Sequence, residues 1–108
     1  MKKKNLIRVL EQPNRKPKYR ICIPLAVRKD SNFVVGRHIS FKPIGDRLYI
    51  EVNLYGHKIF YFNGKKTSAG IHIPREIAEM FRFVAGDLLE IEKINESKLL
   101  VKRSKKDD

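Results

Sequence analysis

The stretch Ile71-His72-Ile73-Pro74-Arg75-Glu76-Ile77 decides the fold, because the Ile-x-Ile-Pro pattern with which it begins also occurs fifty positions earlier, as Ile21-Cys22-Ile23-Pro24. When residues 21–44 are aligned with residues 71–94 without a gap, 7 of the 24 positions are identical. The identical positions are apolar or set the backbone: Ile21, Ile23, Pro24, Phe33, Val34, Gly36 and Ile44. We therefore interpret the chain as a tandem duplication of one unit.

Each unit begins with a β-rich segment, at residues 7–10 or 58–62, and its second strand ends in Ile-x-Ile-Pro. Proline suits the first turn of a helix because the N–H that it lacks would be unpaired there. In the second copy, Ile77, Met80 and Phe81 have the spacing of the apolar face of a short helix. The pattern therefore predicts two strands followed by a helix.

Two more strands complete the unit. Gly36 and Gly86 are predicted to close the helices with a left-handed turn, and apolar residues alternate with polar ones after each glycine. Turns are predicted at Asn63-Gly64, at Gly45-Asp46 and at residues 95–97. The unit is thus β-β-α-β-β.

A unit this small cannot cover both faces of its own strands, so two copies are expected to pack together. We predict a mainly β protein with short helices, in which the two repeats form one closed β-barrel. The prediction is a single domain, residues 1–108, made of repeat 1 at 5–52 and repeat 2 at 57–103. Segment 53–57 would connect the repeats, and residues 1–4 and 104–108 would be flexible tails.

The composition points to a polyanionic partner. The 108 residues include 24 Lys or Arg and 12 Asp or Glu, giving a net charge of +12 and a pI near 10.0. No apolar stretch approaches the roughly 20 residues that span a bilayer, and none follows the basic start to form a signal peptide. The single cysteine excludes an intramolecular disulfide. These features predict a cytoplasmic protein without a membrane partner.

The positive charge is concentrated in the first half of the chain. Residues 1–54 hold 13 Lys or Arg and 4 Asp or Glu, whereas residues 55–108 hold 11 and 8. A cluster of this kind either solvates a surface or neutralises phosphates. The basic cluster between Arg15 and Lys29 is internal, so we interpret it as a nucleic-acid contact.

Two strings, Ile71 to Ile77 and Gly86-Asp87-Leu88-Leu89-Glu90-Ile91, resemble the AbrB/MazE/SpoVT swapped-hairpin DNA-binding family. The resemblance covers nearly the whole chain, twice. It implies an interleaved barrel of two hairpin units and, for many members, a role as a transcription factor or an antitoxin. The chain is therefore expected to be a tandem-repeat member with an AbrB-like swapped-hairpin barrel.

The family's DNA contacts map onto basic positions of repeat 1. Arg8 lies in the first strand, Arg20 stands four residues before Pro24, and Arg28 and Lys29 follow that proline. The second repeat has Gly70, Ala78 and Glu79 at the positions of Arg20, Arg28 and Lys29, so repeat 1 is expected to lead the contact. The candidate DNA-binding residues are Arg8, Arg15, Lys16, Lys18, Arg20, Arg28, Lys29, Lys65, Lys66 and Arg75.

No catalytic or metal-binding pattern accompanies these residues. Paired carboxylates, nucleophile triads, HExxH and phosphate-binding glycine loops are absent from the sequence. Cys22 and His72 occupy equivalent positions but do not complete a four-ligand site. We therefore expect no enzyme, no cofactor and no metal.

The leading prediction is a nucleoid-associated transcriptional regulator that binds double-stranded DNA. A homodimer is expected, because pairing two chains would restore a symmetric basic face. One alternative is an antitoxin-type protein that binds a toxin, although only residues 102–108 follow the last predicted strand. The other is a non-specific nucleoid or RNA-binding protein.

Overall fold

A computed structural model describes residues 5–12, 19–61 and 68–104. These residues form a mainly β protein with two short helices. The strands and helices are β1 (Asn5–Arg8), β2 (Leu10–Glu11), β3 (Tyr19–Ile23), α1 (Leu25–Arg28), β4 (His38–Ile44), β5 (Arg47–Asn53), β6 (His57–Lys58), β7 (Phe60–Tyr61), β8 (Ala69–Ile73), α2 (Arg75–Phe81), β9 (Leu88–Asn95) and β10 (Lys98–Arg103).

The strands form two antiparallel sheets. The six-stranded sheet has the order β1-β9-β10-β5-β4-β6 and curves into a half-barrel, and the four-stranded sheet has the order β2-β3-β8-β7. The counterparts in the two repeats are β1 and β6, β2 and β7, β3 and β8, β4 and β9, and β5 and β10. When each strand is replaced by its counterpart, both sheets give the same order read from the other edge. The two repeats are therefore related by an approximate twofold axis, which passes between β3 and β8 where Ile21 lies opposite Ile71.

The first strand of each repeat crosses over to the other repeat. β1 pairs with β9 of repeat 2, and β6 pairs with β4 of repeat 1. We call β1–β2 and β6–β7 the two arms. The exchange of arms takes place within one chain, and one hydrophobic cluster contains buried residues of both repeats.

The prediction of one closed barrel is wrong, because each arm is divided between the two sheets. The division falls at Val9 and Ile59, which are 0% and 1% exposed and separate the two strands of each arm. The Val9 N–H donates to the Asp87 carbonyl oxygen (2.9 Å), and the Ile59 N–H donates to that of Arg37 (2.9 Å). These backbone groups therefore bond to the turns before β9 and β4, and among the described strands no continuous ladder closes the sheets into a ring.

The second helix begins directly after Pro74, as predicted, but its buried face differs from the prediction. Ile77 and Ala78 are buried, whereas Met80 is 59% exposed. Phe81 is partly buried and packs against the core, so the helix directs Ile77, Ala78 and Phe81 inward.

The glycines predicted to end the helices have left-handed backbones but lie further along the chain. Gly36 and Gly86 have φ values of +95° and +93° and precede β4 and β9 by two residues. Lys29 ends α1, and Arg82, with φ +55°, ends α2. The predicted turn at Gly45-Asp46 is confirmed, and Asn63-Gly64 lies outside the described residues.

Candidate nucleic-acid interface

The outer face of the four-stranded sheet brings basic and aromatic residues together. Strand alternation buries Ile21, Ile23, Ile71 and Ile73 against the core, so the residues between them point away from it. The strand register places six residues on this outer sheet face: Leu10, Arg20, Cys22, Phe60, Gly70 and His72. Among the described residues, the face carries no Asp or Glu.

Arg20 is half-buried in this face between cross-strand neighbours. It lies opposite Leu10 on one side and His72 on the other. The His72 ring is held in turn, since the Gln12 Nε2 lies 3.0 Å from its Nδ1 and the Phe60 ring stacks on it at 4.3 Å. The surroundings of Arg20 are thus fixed by packing from both repeats.

Arg28 joins the face from the end of α1. Its Nε donates a hydrogen bond to the Ile23 carbonyl oxygen (3.1 Å), which keeps the side chain beside the end of β3. Burial raises the pKa of the Cys22 thiol, and the nearby Arg28 guanidinium opposes that rise. Cys22 is therefore a neutral thiol at pH 7, and the guanidinium carries the positive charge of this corner.

Lys29 and Arg75, at the ends of the two helices, differ in their surroundings. Lys29 is exposed, and its backbone carbonyl accepts a hydrogen bond from Lys93 Nζ (3.0 Å). The Arg75 Nε instead donates to the Glu79 carboxylate at 3.0 Å, one helical turn away. Glu79 stands at the position equivalent to Lys29, so the α2 surface neutralises its own arginine.

Arg8 lies against repeat 2, although it belongs to repeat 1. Its Nη1 donates to the Gly86 carbonyl oxygen (2.9 Å), close to the turn that its arm reaches by crossing over. A division of the chain into a basic half and a neutral half would group Arg8 with Arg28. The structure instead places Arg8 against repeat 2.

Five predicted contact residues lie outside the described residues: Arg15, Lys16, Lys18, Lys65 and Lys66. The described residues show where the two segments that contain them, 13–18 and 62–67, join the four-stranded sheet. Residues 13–18 lead to Tyr19, which lies opposite Ile73, whereas residues 62–67 follow Tyr61, which lies opposite Ala69. Because Ala69 is paired with Ile23, the two basic segments join the sheet at opposite ends of the β3–β8 pair.

Two exposed basic residues near this surface, Arg37 and Lys58, were not predicted. Lys58 is the repeat-2 counterpart of Arg8, and Arg37 replaces Asp87 of repeat 2. The backbone hydrogen bond between Ile59 and Arg37 brings the neighbourhoods of the two residues together. Lys58 could have been found from the sequence, because it lies fifty residues after Arg8. Its position beside repeat 1 could not, because that position depends on the crossing of the arms.

The two ends of the four-stranded sheet differ in charge. We define the α1 side as residues 24–38 and 57–61, and the α2 side as the equivalent residues 74–88 and 7–11. The α1 side has four Lys or Arg and one Asp: Arg28, Lys29, Arg37, Lys58 and Asp30. The α2 side has three Arg and four Asp or Glu: Arg8, Arg75, Arg82, Glu11, Glu76, Glu79 and Asp87.

Comparisons with protein-family models, curated proteins and solved structures found no match to this chain. Over residues 5–12, 19–61 and 68–104, no three His, Cys, Asp or Glu side chains are grouped as metal ligands. Within the same residues, no helix is both long and apolar enough to cross a membrane. The outer sheet face and its two charged ends are therefore the features of the molecule that bear on function.

Proposed function

We propose that this chain binds double-stranded DNA and acts as a transcriptional regulator, with the outer sheet face and the α1 side as its contact surface. The observation that carries the proposal is that Arg20 lies on an outer sheet face without described acidic residues, while Arg28 lies at the end of the same sheet, close enough for its guanidinium to act on the Cys22 thiol of that face. Exposed Lys29, Arg37 and Lys58 extend the positive charge from the end of that face. A polyanion is the partner that such a surface fits.

Phosphate contacts and base contacts would be divided between these residues. Lysine ammonium groups neutralise phosphates as point charges, whereas arginine can also contact a guanine edge with two parallel hydrogen bonds. Arg20 and Arg28 are supported by the sheet and by a backbone hydrogen bond, so their guanidinium groups suit contacts that need a fixed position. Exposed Lys29 and Lys58 suit the phosphate backbone.

Crossed arms and tandem β-β-α-β-β units support an AbrB-like swapped-hairpin arrangement, here within a single chain. In that arrangement two equivalent arms flank a central pair of strands, as β1–β2 and β6–β7 flank β3 and β8. The exchange of arms agrees with the interleaving of two hairpin units that the family resemblance implies.

Duplex DNA is favoured over single-stranded RNA by the state of the aromatic side chains. Proteins that bind single strands offer exposed aromatic rings to unstacked bases. On the outer sheet face, the rings of Phe60 and His72 already stack on each other at 4.3 Å. Their facing surfaces are therefore occupied, so the basic groups are the main contact on this outer sheet face.

The test is a binding titration with duplex DNA and with single-stranded RNA, at two salt concentrations. We compare the parent protein with Arg28→Gln/Lys29→Gln and with a matched control, Lys42→Gln/Arg47→Gln, which removes the same charge from β4 and β5. Loss of two phosphate contacts should weaken duplex binding by at least about tenfold and reduce the log–log salt slope by about 1.8.

The control should bind duplex within about twofold of the parent, and the unfolding midpoints of both variants verify that they are folded. The proposal is overturned if the parent binds duplex no better than the Arg28→Gln/Lys29→Gln variant. Stronger binding to single-stranded RNA than to duplex, with the same dependence on Arg28 and Lys29, would assign the surface to RNA instead.

A further inference from the structure

We infer that one chain binds one duplex site in a single orientation, and that this site is non-palindromic. The inference rests on the proposed function and adds to it the stoichiometry and the type of DNA sequence. It follows from the crossing of the arms within one chain, together with the unequal charge of the two ends of the sheet.

One chain already supplies both halves of the contact surface. Swapped-hairpin pairing of two identical chains would give two equivalent ends, and such a surface fits a palindrome. Here β1 pairs with β9 and β6 pairs with β4 within the same chain. A second chain is therefore not needed to complete the surface, in contrast to the homodimer expected from the sequence.

The two ends of this surface are equivalent in backbone but not in charge. The α1 side has four basic residues and one acidic residue, whereas the α2 side has three and four. The clearest difference lies in three matched pairs of residues: Arg28 and Ala78, Lys29 and Glu79, and Arg37 and Asp87. On the α2 side, Ala78 is buried and Glu79 holds Arg75 in an ion pair.

A duplex along the outer sheet face would meet the α1 side at one end and the α2 side at the other, because Ile23 and Ile73 precede the two helices and end antiparallel strands. The α1 side should select the half of the site with the more negative potential. Narrow minor grooves of A·T-rich DNA provide that potential. We therefore expect a site with one A·T-rich half under the α1 side.

The experiment begins with selection of duplexes from a random library and measurement of the protein-to-DNA ratio by native mass spectrometry. Val34 and Val84 then provide matched positions for a cleavage probe, since both are valines at the fifty-residue offset and are 47% and 55% exposed. Each is replaced by cysteine in a Cys22→Ala background, labelled with iron-EDTA, and bound to the selected duplex.

A one-to-one complex is expected, with a non-palindromic motif. The Val34→Cys probe should cut at one end of the site and the Val84→Cys probe at the other, each with at least about a fivefold preference. Equal cutting at both ends by either probe, a palindromic motif bound by two chains, or binding without any selected motif would each overturn the inference. Absence of duplex binding would instead overturn the proposed function.

A charge exchange tests the cause of the orientation. The double variant Lys29→Glu/Glu79→Lys keeps the total charge of the chain and leaves each side with a net charge of +1. The end preference of both probes should fall to about one, measured at a protein concentration that saturates the duplex, so that any loss of affinity from the Lys29 contact does not affect the ratio. A preference unchanged from the parent would show that the charge difference between the sides does not orient the chain.

Discussion

The two hairpin tips of the six-stranded sheet have equivalent positions but different contacts. The β9–β10 tip is bound to the loop after α1, since the Asn32 N–H donates to the Glu96 carbonyl oxygen (2.8 Å) and the Asn32 Nδ2 donates to Ser97 Oγ (2.8 Å). The β4–β5 tip, at Gly45 and Asp46, instead lines an open cleft of about 770 Å³ with the end of α2. The repeats thus share their packing positions, while their two hairpin tips differ in how they meet the neighbouring helix.

On the α2 side, the end of the helix makes a different contact. Arg103 Nη1 donates to the Asp87 carboxylate (2.9 Å), and its Nη2 donates to the Phe81 carbonyl oxygen (2.6 Å). The equivalent residues of the first repeat are Asn53 and Arg37. Arg103 therefore fixes the end of α2 from the end of β10, whereas the α1 loop is fixed by the opposite hairpin tip.

The largest effect is expected from Arg103→Ala, compared with Asn53→Ala. Arg103 makes charge-assisted hydrogen bonds, but its side chain is 49% exposed and partly screened. We expect a loss of about 1–2 kcal/mol for Arg103→Ala and less than about 1 kcal/mol for Asn53→Ala, measured by urea unfolding. Arg103→Lys should restore part of the loss. Equal losses at the two positions would show that the α2 side does not depend on Arg103.

A smaller effect is expected from Asn32→Ala, with Arg82→Ala as its counterpart. Asn32→Ala removes the bond to Ser97 and should cost about 0.5–1.5 kcal/mol. Arg82 is exposed and borders the open cleft, so Arg82→Ala should change the free energy of unfolding by less than about 0.5 kcal/mol. Hydrogen exchange at the β9–β10 tip should accelerate only in Asn32→Ala. Acceleration in Arg82→Ala as well would contradict the difference between the tips.

The smallest effect concerns Cys22, whose counterpart is His72. Because burial raises the pKa of the folded Cys22 thiol, the unfolded thiol loses its proton first as pH increases. Cys22 should therefore contribute no pH dependence near pH 7 and should lower stability once pH rises above about 9. The difference in unfolding free energy between the parent and Cys22→Ala, followed from pH 7 to 10, measures this contribution. A difference that stays constant over that interval would refute it.

Much of the fold was predictable because its signals are local. Period-two alternation predicted the buried isoleucines of β3 and β8, proline marked the start of α2, and Gly45 marked a tight turn. Burial of Ala78 in place of Met80 was not predictable, since the way α2 packs on the sheets decides which of its small and apolar residues face the core. Division of the arms at Val9 and Ile59 also escaped prediction, because both read as ordinary strand residues.

The candidate site was predictable only in part, for a related reason. Arg20 and Arg28 were singled out by their positions relative to Pro24, and the structure places Arg20 on the outer sheet face and Arg28 at the end of β3. Lys58 and Arg37 were missed because their neighbourhood is created by an arm from the other repeat. The contact of Arg8 with the Gly86 carbonyl oxygen was not predictable either, since it depends on the crossing of the arm to repeat 2.

The sequence by itself determined the repeat, the order of strands and helices within it, and the excess of positive charge, since these depend on residues close together in the chain. Only the tertiary structure decided which arm lies beside which helix, that two sheets form instead of a closed barrel, and which charges share a side. Those features depend on pairing between residues about fifty to eighty positions apart, such as Arg8 with Gly86. Such pairing is set by the packing of the whole core and leaves no local pattern in the sequence.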